Sequence, residues 1–250
     1  MFRKPPNATR YVDRTSRLQE PLRRILPHDT YRFVFKNYWN HEFNKIIDTY
    51  TKSPKNINDY SVLPFLEKNA IFVHIPKCAG ISVSEALFGC HGCGHRTIRD
   101  YRLIFNAMQF NKFFKFTFVR NPWDRFVSAY FFLMQGGINK FDKRDAENTV
   151  MRYPSFNAFV KDFMVLDDFQ YILHLAPQSQ FLSIYDGGPP KVDFIGRFEN
   201  IDSDFEKICA RIGVNNRLQK NNYGLLRKTK GLEIFDTETR RIIGRCYEQD

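Results

Sequence analysis

The stretch "IPKCAGIS" (residues 75–82) combines a lysine, a turn of small residues and a serine. It follows a short apolar run and precedes a segment, residues 82–88, that predicts a helix. Backbone N–H groups at the start of a helix have no helical partner, and the helix dipole favours an anion there. Because Cys78, Ala79 and Gly80 are small, the backbone can approach a ligand closely. The stretch therefore predicts a phosphate-binding loop.

The position of the lysine shows that this stretch is not the phosphate-binding loop of nucleotide triphosphatases. Their G-x-x-x-x-G-K-[ST] pattern places the lysine directly before the Ser or Thr that binds Mg²⁺. Here Lys77 stands at the entrance of the loop and Ser82 comes five residues later. The expected magnesium ligand pair is absent, although Ser82 can still add a hydroxyl donor. The alternative is an ordinary strand–turn–helix connection with a solvated lysine.

A second candidate site lies in "FKFTFVRNPWDRFVSAY" (residues 114–130). The β-prone run ends at Arg120, and the Asn-Pro pair after it is a typical helix start. Arginine suits forked recognition of a phosphate, and Ser128 follows about two helical turns later. This cation and hydroxyl, next to a first anion site, predict a ligand with two separated phosphate groups. The alternatives are a salt bridge from Arg120 to Asp124 and a small Ser128 in helix packing.

Strands that alternate with helices must position these residues. The predicted strands are residues 70–75, 113–119 and 191–196. The predicted helices are residues 29–50, 82–88, one from Pro122, one capped by Ser155, one from Asp202 or Ser203 to Gly213, and 236–247. This order predicts an α/β domain with a mostly parallel sheet, in which ligands sit outside the carboxyl ends of the strands. Residues 1–60 form a predicted arm and helix of unassigned role, and residues 61–250 form the main domain.

Composition limits the class of protein. The chain has 250 residues, 43% of them hydrophobic, and its net charge of +11 would attract an anionic partner. Its five cysteines, an odd number, do not indicate a disulfide framework. Because the sequence shows no signal peptide and no apolar run of about 18 residues, it predicts a cytoplasmic protein without a transmembrane segment. A luminal domain of a Golgi-type enzyme is the alternative.

Together, "FVHIPKCAGISV" and "FTFVRNPWDRFVSAYFFL" resemble the sulfotransferases that use 3′-phosphoadenosine 5′-phosphosulfate (PAPS). The most similar branch is the carbohydrate type, which includes heparan- and chondroitin-modifying enzymes and bacterial relatives. "HLAPQSQFL" and "VDFIGRFENIDSDF" are similar to later segments of this group. The resemblance implies a P-loop NTPase-like three-layer α/β/α fold. It also implies PAPS as donor, 3′-phosphoadenosine 5′-phosphate (PAP) as product, and no metal.

The resemblance also implies a role for each motif residue. The 5′-phosphosulfate would be held by Lys77, Cys78, Ala79, Gly80, Ile81 and Ser82. Arg120 and Ser128 would hold the 3′-phosphate. Lys77 would also neutralise the charge that develops on the leaving 5′-phosphate oxygen, in place of a metal. Cys78 and Ile81 depart from the family, where threonine is common at both positions, and this removes a hydroxyl contact.

The acceptor hydroxyl needs a general base, for which histidine is the usual residue at neutral pH. Among six histidines, His95 in "GHRT" resembles the family's base, and His91 is the second candidate. His74, inside the first predicted strand, is expected to be structural. An alternative for the stretch from Cys90 to His95 is a zinc site, because it also contains Cys93. It lacks the second, distant ligand pair that such sites usually have, so no metal is predicted.

The resemblance implies a carbohydrate or glycolipid acceptor, anionic or neutral, and no nucleic-acid partner. Gln178 is a candidate acceptor-side or base-orienting group. Lys228, in the basic run "LRKTKG", is a candidate contact with the nucleotide or an anionic acceptor. The rival function is a non-catalytic basic protein that binds nucleic acid or acidic glycan, and the aromatic and basic residues of "TYRFVFKNYW" support it.

Overall fold

The computed structural model describes residues 14–218 and 231–250 of the chain. Lys228, the predicted acceptor-side lysine, lies outside these residues. Among the residues described, no helix is both long and apolar enough to cross a membrane.

Three parallel strands in the order β1-β2-β3 form the sheet: β1 (Ala70–Val73), β2 (Phe114–Val119) and β3 (Phe194–Arg197). Phe116 of the central strand β2 is in register with Phe72 on one side and Phe194 on the other. Every residue of β1 is buried, which explains its uninterrupted apolar sequence. The predicted α/β class with a parallel sheet is confirmed. The P-loop-like three-layer arrangement stays a prediction.

Thirteen α-helices lie in the part of the chain that the structure describes. They are α1 (Arg14–Ile25), α2 (His28–Tyr38), α3 (Asn40–Tyr50), α4 (Leu63–Lys68), α5 (Gly80–Phe88), α6 (Ile98–Ile104), α7 (Ala107–Lys112), α8 (Pro122–Met134), α9 (Lys140–Asn148), α10 (Phe156–Asp162), α11 (Ser179–Leu182), α12 (Ile201–Ile212) and α13 (Thr237–Cys246). Short 3-10 helices lie at Val150–Arg152, Asp167–Tyr171, Phe198–Asn200 and Gly231–Ile234.

The described residues divide into two compact units. The sheet unit comprises residues 17–119 and 178–218, and it contains the three strands. The helical unit comprises residues 14–16, 120–177 and 231–250, and it contains α8, α9, α10 and α13. The sheet unit runs past residue 60, where the sequence predicts a domain boundary, and that boundary remains a prediction.

The N-terminal segment of the sheet unit differs from its prediction. Residues 29–50 form two helices, because Trp39 between α2 and α3 has a non-helical backbone (φ −124°, ψ 47°). The ring centroid of Trp39 lies 5.5 Å from that of Phe35, and Phe35 packs with Phe43 and Leu103. Because Phe35, Trp39 and Phe43 are spaced by four residues, they lie on one side of the segment whether it forms one helix or two. The hydrophobic periodicity therefore does not reveal the break at Trp39.

Part of the predicted N-terminal arm is helical. The C-terminal carbonyls of α1 are satisfied by Arg102 of α6, which donates to the carbonyl oxygens of Arg23 at 3.0 Å and Leu26 at 2.7 Å. The guanidinium also lies 5.1 Å from the ring centroid of the buried Tyr31. These long-range contacts join α1 to the sheet unit, and a local sequence pattern cannot indicate them.

Most predicted helix caps are confirmed. Asn121 begins α8 and Ser155 begins α10, each by accepting a hydrogen bond from a backbone N–H of the first turn. Asp236, predicted as the first residue of the last helix, is its cap and accepts from the Thr239 N–H. Gly213 ends α12 with a left-handed φ of 78°. The predicted start of α12 at Asp202 or Ser203 is wrong. That helix begins earlier, at Ile201, because the 3-10 turn Phe198–Asn200 leads directly into it.

Candidate donor-binding and catalytic site

The loop between β1 and α5 has a constrained backbone in the sheet unit. Lys77 and Ala79 both adopt left-handed conformations, with φ of 68° and 63°. Such conformations are unfavourable for residues with a Cβ and persist where surrounding structure holds them. Ala79 precedes α5 and cannot cap it with its side chain, so the first N–H groups of α5 are available to an anion. This geometry fits the predicted phosphate-binding loop.

Gly80 is required by steric contact. A Cβ atom built on Gly80 would overlap the imidazole ring of His74. Gly80 is not among the residues with positive φ, so alanine would fit its backbone conformation but not its surroundings. The His74 ring is buried and packs 5.7 Å from the Phe72 ring, centroid to centroid. The His74 ring therefore supports the loop by packing against Gly80, in agreement with the structural role predicted for His74.

Gln178 contacts the same loop. Its side-chain oxygen Oε1 accepts a hydrogen bond from Cys78 Sγ at 3.4 Å, and both residues are buried. The departure from threonine at Cys78 thus places a thiol against an amide inside the protein. Ile81, the other departure, is exposed on the first turn of α5, next to the half-buried Ser82. This position of Gln178 supports the loop and does not by itself indicate an acceptor contact.

His95 is held in a defined tautomer. Its Nδ1 atom lies 3.1 Å from the carbonyl oxygen of His74, and the two rings are 4.2 Å apart, centroid to centroid. Because a carbonyl oxygen only accepts, Nδ1 carries a proton, and in the neutral ring Nε2 is the nitrogen that can accept one. A neutral imidazole with a basic Nε2 is the form that a general base needs.

His91, the second candidate base, has a different environment. Its Nε2 atom lies 3.2 Å from Glu85 Oε1, and its ring meets the edge of Tyr60. A carboxylate beside Nε2 occupies the nitrogen that would take the acceptor proton. The geometry therefore favours His95 over His91.

The stretch from Cys90 to His95 does not form a cluster of metal ligands. Burial raises the pKa of the Cys93 thiol well above its ordinary value, which disfavours the thiolate that binds zinc. The ring nitrogens of His91 and His95 face different partners, Glu85 and the His74 carbonyl. Among the residues that the structure describes, no group of three or more His, Cys, Asp and Glu side chains could hold a metal ion.

The predicted 3′-phosphate residues belong to the helical unit. Arg120 directly precedes Asn121, the cap of α8. The buried Ser128 lies inside α8, and its Oγ has no hydrogen-bond partner in this part of the chain. A buried hydroxyl without a partner is costly, so Ser128 fits a site completed by a ligand oxygen.

Arg125 organises the same helix and was missed by sequence reasoning. It is completely buried, and it donates to the carbonyl oxygens of His174 at 3.4 Å and Ala176 at 2.7 Å. Its guanidinium lies 5.2 Å from the ring centroid of Tyr247, whose hydroxyl donates to the Leu175 carbonyl at 2.7 Å. This cluster fixes α8 against the end of α13 and against residues 174–176. The only signal in the sequence is an arginine on the apolar face of a helix.

An open groove of about 670 Å³ lies beside α13 in the helical unit. Its walls include the indole of Trp123 and three arginines, Arg240, Arg241 and Arg245. Trp123 Nε1 donates to the carbonyl oxygen of Arg240 at 3.2 Å. The indole packs closely on the bare backbone of Gly244, where a Cβ would lie 3.4 Å from it. The groove therefore offers a fixed aromatic wall with basic edges.

The groove has a net positive charge, although acidic residues also line it. None of the three arginines makes an ion pair within the described residues. Asp236 is engaged, because it accepts from Thr239 N at 2.7 Å and lies 3.5 Å from Lys161 Nζ. Hydrogen bonds from Thr239 lower the pKa of Asp236, so this carboxylate is ionised and already neutralised by partners. Three arginines outnumber the other carboxylate of the groove, Glu248, so an anionic ligand would meet a net positive charge here.

Comparison with known proteins identifies the chain's relatives. A protein of Archaeoglobus fulgidus, described only as uncharacterized, is 31% identical over 109 residues, which cover 44% of this chain and 75% of the relative. No solved structure matches the chain. The model of the sulfotransferase family matches residues 66–250, a range that includes the loop at Lys77, His95, Arg120 and Ser128. The chain therefore belongs to the sulfotransferase family.

Proposed function

We propose that the protein transfers the sulfuryl group of PAPS to a hydroxyl of a carbohydrate or glycolipid. The observation that supports this most directly is the double use of His74. Its ring underlies Gly80 in the predicted donor loop, and its carbonyl oxygen orients His95, the predicted base. One buried residue thus supports both a phosphate-binding backbone and a basic Nε2, within the same unit.

The proposed donor contacts follow the two motifs. The 5′-phosphosulfate is held by the loop residues Lys77, Cys78, Ala79, Gly80, Ile81 and Ser82, mainly through backbone N–H groups at the start of α5. Arg120 and Ser128 hold the 3′-phosphate, for which the unsatisfied Ser128 hydroxyl is the supporting observation. Gln178 acts by holding Cys78 in place.

The proposed reaction divides between two side chains. His95 Nε2 takes the proton of the acceptor hydroxyl, whose oxygen forms a bond to sulfur. The bond from sulfur to the 5′-phosphate oxygen breaks, and the Lys77 ammonium neutralises the charge on that leaving oxygen. The products are a sulfate ester and PAP. A sulfuryl group carries less charge than a phosphoryl group, so one ammonium replaces the metal of phosphoryl transfer.

The α13 groove is the proposed acceptor surface of the helical unit. The flat indole of Trp123 suits the apolar face of a sugar ring, and arginines suit carboxylate or sulfate substituents. These features favour a carbohydrate acceptor with negative charge over a neutral one. The rival nucleic-acid function has less support, since Tyr31 and Phe35 of "TYRFVFKNYW" are buried and only Phe33 and Tyr38 are largely exposed.

Substitution of Arg120 tests the proposed donor. Arg120→Ala should weaken PAP binding by about 1.5–3 kcal/mol, the scale of a charge-assisted hydrogen bond. Adenosine 5′-phosphate, which lacks the 3′-phosphate, should lose much less. Thermal shift and calorimetric titration with both nucleotides measure this difference. Equal losses would show that Arg120 only supports the fold, and no PAP binding by the wild-type protein would contradict the proposed function.

Removal of metal tests the proposed division of roles. Since Lys77 supplies the positive charge, prolonged treatment with a chelator should leave both the melting temperature and the sulfotransferase activity unchanged. Elemental analysis of the purified protein is the accompanying measurement. Stoichiometric zinc that is lost together with activity would contradict this prediction.

The groove arginines should affect the acceptor alone. Arg241→Ala or Arg245→Ala should raise KM for an anionic acceptor about threefold each, the scale of one exposed charge contact, and leave kcat and PAP affinity unchanged. Arg152→Ala, at an exposed site of the same unit outside the groove, is the matched control. Similar KM changes for a neutral acceptor, or for the control variant, would place the acceptor elsewhere.

A further inference from the structure

The connection between α8 and α9 presents apolar side chains to solvent in the helical unit. Ile138 is 77% exposed, Phe141 is 54% exposed and Met134 is 40% exposed. No charged residue occurs from Met134 to Asn139, and the charges begin at Lys140. Exposed apolar groups that lie close together commonly mark an interaction surface. We call residues 134–141 the apolar tip.

Specific backbone conformations and hydrogen bonds fix the shape of the apolar tip. Gly136 and Gly137 adopt left-handed backbones with φ of 83° and 67°, and a Cβ on Gly137 would overlap the Asp142 side chain. The Asp142 carboxylate accepts from Ile138 N at 3.1 Å and from Asn139 Nδ2 at 2.8 Å. Asn139 in turn caps α9 by accepting from the N–H groups of its first turn. These bonds hold Ile138 outward and oppose its collapse onto the core.

A buried pair locks Asp142 itself. His174 Nε2 lies 3.0 Å from Asp142 Oδ1, and both side chains are only 6% exposed. The ring centroid of Phe132 lies 4.5 Å from that of His174. Exposing apolar side chains and burying the Asp142–His174 pair both cost free energy of folding. Such a rigid, exposed loop is therefore a candidate functional site.

Basic side chains lie beside the apolar tip, on α9. Lys140 Nζ lies 5.3 Å and the Arg144 guanidinium 5.7 Å from the ring centroid of Phe141. Neither makes an ion pair within the described residues, and Lys143 makes only an exposed contact of 4.0 Å with Glu147. The other two acids of α9, Asp142 and Asp145, are buried. Two guanidine nitrogens of Arg144 are buried, so the outward positive charge comes from Lys140 and Lys143, which outnumber the exposed Glu147.

We propose that the apolar tip docks the protein on an anionic lipid surface. Ile138 and Phe141 enter the boundary between headgroups and acyl chains, while the exposed Lys140 and Lys143 contact the headgroups. The net charge of +11 adds long-range attraction to such a surface. Three or four side chains of one loop are too few for a specific protein interface of about 1,200–2,000 Å², but they suffice for a bilayer. This function is independent of the proposed sulfuryl transfer.

Flotation of the full chain with lipid vesicles tests the proposal. The wild-type protein should bind vesicles of phosphatidylcholine with phosphatidylglycerol at low salt, bind phosphatidylcholine alone weakly, and lose binding as salt rises. Ile138→Ser with Phe141→Ser should lower binding at least about tenfold. Lys140→Gln with Lys143→Gln should lower it severalfold and reduce its salt dependence. Melting temperature and PAP affinity should stay at the wild-type values in both variants.

Met108→Ser is the matched control, because Met108 is 79% exposed on α7 of the sheet unit. It should bind vesicles as the wild-type protein does. The proposal is overturned if the Ile138→Ser, Phe141→Ser variant binds normally or if Met108→Ser loses as much. It is also overturned if the wild-type protein ignores vesicles and forms a dimer that the tip substitutions dissociate, since the tip would then join two copies of the chain.

Discussion

Replacing His95 by alanine should lower turnover by about 10²–10⁴-fold and leave PAP binding near the wild-type value. The reason is geometric. His95 Nδ1 is engaged by the His74 carbonyl oxygen, so Nε2 is the nitrogen that the proposed mechanism assigns to the acceptor and not to the donor. Single-turnover rates with saturating donor, together with calorimetric PAP titration, measure the two effects separately.

Two companion variants sharpen this result. Lys77→Ala should reduce both PAP binding and turnover, because the proposed mechanism uses the ammonium both to contact the 5′-phosphate and to stabilise the charge of the leaving oxygen. His91→Ala should retain most of the activity, since its Nε2 faces Glu85. If His95→Ala weakens PAP binding as much as turnover, or if His91→Ala is the slower variant, the base is not His95.

Gly80→Ala should abolish tight donor binding, although it adds a single methyl group. That methyl would overlap the His74 ring, which is buried and cannot swing into solvent. The start of α5 would have to move, together with its N–H donors. Losing two charge-assisted hydrogen bonds of about 1.5–3 kcal/mol each corresponds to a more than 100-fold loss of PAP affinity. Calorimetric titration of PAP measures this loss.

A second-site change separates this cause from general unfolding. His74→Ala removes the ring but keeps the backbone carbonyl that orients His95. The double variant with Gly80→Ala should therefore recover PAP affinity, although its melting temperature should be lower than that of the wild-type protein because of the cavity. Gly89→Ala is a control for the added methyl, because nothing lies within 4 Å of a Cβ at Gly89. Its left-handed φ of 66° should cost some stability but no affinity. If the double variant remains as weak as Gly80→Ala, the contact with His74 does not explain the need for glycine.

The sequence alone was sufficient to predict those features of the structure that depend on residues close together in the chain. The apolar runs predicted all three strands to within three residues. The caps Asn121 and Ser155 were predicted because a cap bonds only to N–H groups two or three residues away. The lysine, the small-residue turn and the Arg-to-Ser spacing led to the sulfotransferase family, which the match over residues 66–250 confirms.

Only the tertiary structure decided features that depend on residues distant in the chain. His74 supports Gly80 and orients His95 across 21 residues, and Gln178 reaches Cys78 across 100 residues. Such contacts exist because the sheet brings separate segments to one place, and no local periodicity encodes them. The sequence already ranked His95 before His91 as the base; the carbonyl beside His95 and the carboxylate beside His91, which support this prediction, appear only in the fold. Burial of Arg125 likewise required α8 to meet the carbonyl oxygens of His174 and Ala176, about 50 residues away, which only the folded chain shows.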